Sequence, residues 1–196
     1  MISCILLSAG LSSRFGSPKA LAKLNNLTVI EYLLRNLVES KLDEIIVVIG
    51  AHADEIKLHI LNHKKVRVVY NKDYNLGQTS SFKVGVGAIQ SQGLGIMLLP
   101  VDFPLIKRQT FDKLLEHFLA ESPKILIPTY HQRKGHPPVF GPGFKKLFLD
   151  MDDSVGINAL QHECGSDIVL LPVEDPGVVR SFNTPEEFNE VKSSFL

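Results

Sequence analysis

Leu7-Ser8-Ala9-Gly10-Leu11-Ser12-Ser13-Arg14-Phe15-Gly16-Ser17-Pro18-Lys19 follows directly on an apolar run, Ile2 to Leu7. Such a short apolar run reads as a strand covered on both faces. The loop after it is made of small residues, which let a backbone approach a ligand closely. It also carries two fixed cations, Arg14 and Lys19, one forked and one compact, both suited to phosphate oxygens. In open parallel sheets ligands bind beyond the C-terminal strand ends, so this loop is read as a phosphate-binding loop of an α/β protein.

Two familiar phosphate loops do not fit. A Walker loop needs four residues between its glycines and then Gly-Lys-Ser/Thr, but five residues separate Gly10 from Gly16 and Ala20 follows Lys19. A dinucleotide fingerprint needs Gly-x-Gly-x-x-Gly and an acidic residue ending the second strand, where this chain has Ile49-Gly50. Glu31 lies near the offset of such an acid, but it belongs to a capping box, Thr28-Val29-Ile30-Glu31.

Outward from the loop the chain alternates. Apolar runs at Glu44 to Ile49, Val66 to Tyr70, Ile96 to Leu99, Ile125 to Ile127 and Asp167 to Leu171 read as further strands. The last three are read as stopped by Pro100, Pro128 and Pro172. Helices fill the gaps: Val29 to Ser40, segments near 53–62, 80–91 and 110–120, and a last helix opened by Thr184-Pro185-Glu186-Glu187, with proline where its missing N–H costs nothing. This order predicts one domain, 1–196. It would be a three-layer α/β sandwich with a mostly parallel, Rossmann-like sheet and helices on both faces. The Gly/Pro-rich stretch 129–143 is expected to lie as a loop or ribbon over the sheet edge.

Composition sets the outer bounds. The 196 residues carry 21 Lys plus Arg against 21 Asp plus Glu, which excludes a chain-wide polycation for nucleic acid. Two cysteines, Cys4 and Cys164, are too few for a disulfide framework. No apolar stretch approaches the ~18 residues of a membrane span, and the N-terminus lacks the basic start of a signal peptide. A cytoplasmic protein is expected. His59 and His63 have the i, i+4 spacing of a helical metal pair, but no glutamate follows His59, and a solvated helix face is the expected reading.

The loop resembles the Leu-x-Ala-Gly-x-Ser-x-Arg-Phe/Met-Gly-x-x-Lys signature of the molybdenum cofactor nucleotidyltransferase-like family. The likeness continues in order through Asn71 to Ser81, Leu99 to Leu105, Gly135 to Phe140, Asp175-Pro176-Gly177 and Asn183 to Glu187. It is greatest to the cytidylyl-transferring branch. The resemblance implies the nucleotide-diphospho-sugar transferase type of fold. It also implies Mg²⁺-dependent transfer of a nucleotidyl group from a nucleoside triphosphate, CTP in that branch, to a phosphorylated acceptor, molybdopterin, with release of pyrophosphate. A sugar phosphate as acceptor, GTP as donor, or a non-catalytic chaperone or nucleotide sensor on the same fold are the alternatives. The partners implied are small molecules, not nucleic acid or membrane.

Residue roles follow from the same likeness. Arg14, Lys19 and Asp102 would be catalytic. Leu7, Ser8, Ala9, Gly10, Arg14, Lys19, Asn71, Gly77, Thr79, Ser80 and Ser81 would hold the nucleotide, and Gly135, His136 and Pro137 the acceptor. Asp102 and Asn183 would hold Mg²⁺. Asp102 directly follows an apolar strand between Pro100 and Pro104, which aims a carboxylate into a cleft. A capping role before Thr110 is the other reading. At position 183 the family pattern usually has Asp, so Asn183 lowers the charge at the metal. Ala9, where the guanylyl branch typically has glycine, leaves less room for a purine, a discrimination of about 1–3 kcal/mol.

Overall fold

Strand β1 (Ile2–Ser8) lies near the middle of the sheet and is buried along its whole length. The computed structural model describes residues 1–90, 93–159 and 167–194. Cys4 is a free thiol at the centre of β1, and burial pushes its pKa up, away from reactivity. Cys164 lies outside the described residues. β1 pairs in parallel with β4 (Glu44–Ile49) on one side and β6 (Gly95–Pro100) on the other. β4 pairs in parallel with β5 (Val66–Tyr70), which forms one edge. β7 (Ile125–Tyr130) and β10 (Ile168–Pro172), also a parallel pair, form the other.

Because alternate side chains leave opposite faces of a strand, β1 feeds two cores. Ile2, Cys4 and Leu6 face a cluster with Ile45, Val47, Met97 and Leu99, under α1 (Val29–Glu39), α4 (Arg108–Glu121) and α6 (Pro185–Ser193). Ile5 and Leu7 face the other cluster, with Ile46, Val48 and Leu98, under α3 (Gln78–Gly87) and α5 (Phe144–Asp150). There Phe82, Phe140 and Phe148 are fully buried, each worth about 1.5–3 kcal/mol in apolar surface removed from water. The α/β architecture with a mainly parallel sheet is the one expected.

The departures have local causes. The stretch 129–143 is not laid over an edge. It turns back through β8 (Arg133–Lys134) against β7 and then enters the sheet as β9 (Val139–Phe140), antiparallel to both β6 and β7. Val139 and Phe140 are wholly buried, and two such side chains are enough to fill the gap between β6 and β7. Two of the three prolines end their strands, Pro100 and Pro172 as the last strand residues, but Pro128 is internal to β7, which runs on to Tyr130. Proline lacks a donor but keeps its acceptor, and the Pro128 carbonyl takes the Gly135 N–H at 2.8 Å. The second helix, α2, covers only Ala53–Lys57 and loosens into 3₁₀-type bonds after it. His59 and His63 therefore never share a helix face. His59 Nδ1 faces Glu31 Oε1 at 3.2 Å, and His63 Nδ1 accepts from the Lys65 N–H. A short hairpin, β2 (Lys23–Leu24) with β3 (Leu27–Thr28), stands apart from the main sheet.

The box opening α1 forms as read. Thr28 Oγ1 accepts from the Glu31 N–H, and Glu31 Oε2 accepts from the Thr28 N–H at 2.6 Å. The Thr28 backbone N–H, then the Thr28 hydroxyl and His59, hold the Glu31 carboxyl down at about 2 against an ordinary 4.5, over an opposing effect of partial burial. A carboxylate with a depressed folded-state pKa contributes stability that is complete above about 4.5 and is lost as pH falls toward 2. Glu31→Gln is therefore expected to flatten the acid limb of stability in that window. Urea midpoints taken across it check this, since equal slopes in both proteins would deny the carboxylate its part.

Candidate active site

The C-terminal ends of β1 and β6 open on a cleft of about 470 Å³. Its floor is Leu7, Ser8, Ala9 and Gly10, its far side Pro100, Val101 and Asp102, and one rim is Gly77, Gln78 and Ser81. The loop leaving β1 is knotted at Ser12: its carbonyl accepts from the Phe15 and Gly16 N–H groups, and its hydroxyl accepts from the Lys19 N–H at 3.2 Å. Phe15 points away from the cleft and packs edge-on against Phe182 and Phe188, centroids 5.2 and 5.6 Å apart. That contact docks the segment 182–188 beside the loop, and the Phe182 N–H donates to the Asp102 carbonyl.

Four polar side chains meet there. Lys19 Nζ lies 3.1 Å from Asp102 Oδ2 and 2.9 Å from Asn183 Oδ1, and 5.6 Å from the Phe182 ring centroid. Arg14 donates to the same Asn183 oxygen at 3.1 Å. Asn183 itself is held through its N–H by the Glu187 carboxylate, while Thr184 Oγ1 accepts from the Glu187 N–H and caps α6. The second capping box is thus shifted by one residue, its carboxylate spent on Asn183. Asp102 is not a helix cap. The N-terminus of α4 is capped by Asp175, whose Oδ2 accepts from the Lys107 N–H and the Thr110 hydroxyl.

On the rim, α3 begins at Gln78 after Gly77 with no side-chain cap and no acidic residue in its first turn. Its first N–H groups have no acceptor within the helix and suit an anion at the cleft edge.

Of the residues singled out from sequence, the structure gathers Leu7, Ser8, Ala9, Gly10, Arg14, Lys19, Gly77, Ser81, Asp102 and Asn183 around this one cleft. It does not bring Asn71, Thr79 or Ser80 to the lining. Asn71 is buried and donates to the Ser80 and Ser81 hydroxyls, Thr79 Oγ1 donates to the Val155 carbonyl at 2.7 Å, and Ser80 Oγ to the Asp73 carbonyl. These hydroxyls tie the turn before α3 to its neighbours. The Ala9 side chain is packed in the core cluster with Leu7 and Val48 and is 3% exposed.

Gly135, His136 and Pro137 also lie off this lining. A Cβ on Gly135 would come within 2.4 Å of the Val178 carbonyl oxygen, and the His136 N–H donates to that same carbonyl. His136 stacks on Phe103, centroids 4.4 Å apart, with its Nδ1 buried and unpartnered. Burial pushes its pKa down, and the Asp102 charge and the Leu98 carbonyl pull it partly back. The ring thus lies near enough to Asp102 to feel its charge.

Tyr74, Asn75, Gln78 and Ile56 line the cleft and were not singled out. Tyr74 and Asn75 stood within the quoted stretch Asn71 to Ser81, so position in that motif was the available signal. Ile56 carries no chemistry that would mark it.

The donors here suit a hard divalent cation. Asp102 supplies a carboxylate at the cleft, its Oδ2 turned to Lys19, and Asn183 supplies a neutral oxygen beside it. One carboxylate and one amide match Mg²⁺, which keeps several waters and takes its other ligands from phosphates. They do not match a metal needing three or four protein ligands, and no cluster of three or more His, Cys, Asp or Glu gathers among the described residues.

A parallel sheet with a small-residue loop, two cations and a carboxylate at its strand ends defines an α/β protein suited to polyphosphate. A family model described as the MobA-like NTP transferase domain matches residues 4–167. The chain is 24% identical to the molybdenum cofactor cytidylyltransferase of Escherichia coli (strain K12) over 195 residues, 99% of this chain and 97% of that enzyme. It is 31% identical to a probable molybdenum cofactor guanylyltransferase of Bacillus cereus (strain Q1) over 130 residues, 66% of this chain and 62% of that protein. A nucleotidyl transferase from Methanothermobacter thermautotroptrophicus superposes with a TM-score of 0.83 at 25% identity, covering 100% of this chain and 97% of that one. A manganese complex from Mycobacterium tuberculosis H37Rv superposes at 0.81 with 21% identity, covering 98% and 97%. The chain belongs to the MobA-like NTP transferase family and is a nucleotidyltransferase. No helix among the described residues is long and apolar enough to cross a membrane.

Proposed function

We propose that this protein is a cytoplasmic, Mg²⁺-dependent cytidylyltransferase that moves CMP from CTP to the phosphate of molybdopterin or its metal-loaded form and releases pyrophosphate. The observation that carries the reading is the meeting of Arg14, Lys19 and Asp102 in one cleft at the strand ends. An acceptor phosphate oxygen attacks the α-phosphorus and pyrophosphate leaves, so no protein nucleophile is needed. The work of the chain is alignment and charge stabilisation. Arg14 and Lys19 bind the triphosphate oxygens. The N–H groups of the β1 loop and of the α3 N-terminus orient the rest of the nucleotide. Asp102, with Asn183 beside it, would hold the cation, whose contribution when bound would be charge neutralisation on the reacting phosphates. The acceptor approaches past Phe103 and His136.

CTP is favoured by the end-to-end likeness to the Escherichia coli cytidylyltransferase. GTP is the second reading, favoured by the higher identity, over a shorter stretch, to the Bacillus cereus protein. The test is pyrophosphate release with each of the four nucleoside triphosphates, crossed with molybdopterin and with sugar phosphates. Release with CTP and molybdopterin alone is expected. Release only with GTP would move the protein to the guanylyl reading. Release only with a sugar phosphate would replace the acceptor, and tight nucleotide binding without release would make the chain a sensor.

A further inference from the structure

In the cleft the groups read as phosphate ligands and those read as metal ligands are bonded to one another. Asp102 has two oxygens. Oδ1 is buried, and Oδ2 is held by Lys19 Nζ at 3.1 Å. The pair is sheltered, with side-chain exposures of 14% for Lys19 and 21% for Asp102. The Asn183 oxygen accepts from both Lys19 and Arg14. A divalent cation arriving alone therefore meets an ammonium group on the one carboxylate oxygen within reach and two cations on the amide oxygen. Like charges at such spacing repel strongly where water is scarce.

We propose that Lys19 blocks the cation position on Asp102 until a triphosphate draws its ammonium away, so that metal and nucleotide enter this cleft as one unit. The inference rests on the reading of Asp102 as the metal ligand. A triphosphate supplies the anionic oxygens that Lys19 exchanges for the carboxylate and the amide. The freed Asp102 Oδ2 and Asn183 Oδ1 then face a cation that the phosphates also hold. Binding of either partner alone leaves the Lys19 contacts to be broken without replacement, and binding of both restores a partner to every charge. That is a coupling free energy between two ligands, reciprocal by linkage.

The test uses Mn²⁺ alone as the probe, with free Mn²⁺ followed by electron paramagnetic resonance and no nucleotide present. Lys19→Met keeps the stem over Phe182 and removes the charge. It is expected to bind Mn²⁺ at least about tenfold tighter than the wild type, or 1.4 kcal/mol. Lys19→Arg, which keeps a cation at the position, is expected to stay as weak as the wild type. Arg14→Met removes the same net charge without touching Asp102 and is expected to gain no more than about threefold. Equal gains in Lys19→Met and Arg14→Met would reduce the effect to general charge and overturn the proposal. So would no gain in Lys19→Met, given a melting curve showing it folded. A nucleotide titration run separately keeps the readings apart. Failure of the wild type to bind any nucleoside triphosphate with Mn²⁺ would remove the nucleotidyl reading, whereas the Lys19 result needs no nucleotide.

Discussion

Lys19→Ala and Asp102→Asn are each expected to lower kcat by at least about a hundredfold while leaving the fold in place. Removing one preorganised charge from a reacting centre costs roughly that much when no covalent step shares the burden. Lys19 sits on the loop leaving β1 and Asp102 just beyond β6, so the two reach the same point from different strands. Neither belongs to an apolar core cluster, but the pair is sheltered, so removing one partner leaves a charge without its counter-ion and a moderate fall in melting temperature is expected beside the loss of turnover. Steady-state pyrophosphate release and a melting curve on each variant check both halves. Near-normal turnover in both would refute the assigned roles. A cross-check comes from the metal: Lys19→Met should bind Mn²⁺ more tightly and yet turn over more slowly. A group that merely supported the fold would not move the two readouts in opposite directions.

The parts of this site legible in the sequence are those where chemistry and topology coincide. Gly10, Arg14 and Lys19 follow the first buried strand directly, and a loop at the C-terminal end of a parallel strand has only one place to point. Asp102 was legible for the same reason, two residues past Pro100. Asn71, Thr79 and Ser80 lie off the lining, and the sequence does not show it, because a run of polar residues opening a helix looks alike whether it faces a ligand or a neighbouring loop. The Val155 carbonyl that takes the Thr79 hydroxyl is 76 residues away and announces nothing. The β9 strand was hidden by its length. Two residues, Val139 and Phe140, after two prolines show no period of two, and only the gap between β6 and β7 makes them a strand. Ala9 belongs both to the cleft floor and to a core cluster, which the sequence alone does not reveal.

Asp175→Ala is expected to cost the fold about 3–5 kcal/mol, the largest stability loss from a single residue outside the apolar core. Asp175 is 3% exposed and accepts from three donors: the Lys107 N–H at 2.9 Å, the Thr110 hydroxyl at 2.6 Å and the Gly177 N–H at 2.9 Å. Truncation strands these donors away from water, at about 1–3 kcal/mol each with partial relaxation. For a chain of this size the expected fall in melting temperature is roughly 10 °C. The carboxylate also closes a contact that leaves no slack, since a Cβ on Gly177, two residues on, would lie 2.4 Å from the Leu105 carbonyl oxygen. Asp175-Pro176-Gly177 thus pins the loop from Asp102 to Lys107 against the segment 176–179, whose Val178 carbonyl in turn holds His136. Activity measured well below the melting point should fall more modestly than in Asp102→Asn, because the Asp102 carboxylate is still present but less firmly placed. Asp175→Asn keeps an acceptor oxygen for part of the cluster and should recover a fraction of the lost stability. A melting temperature for Asp175→Ala within 2 °C of the wild type would mean that the α4 N-terminus is satisfied some other way. The anchoring of the Asp102 loop would then have to be sought in its contact with Phe182 instead.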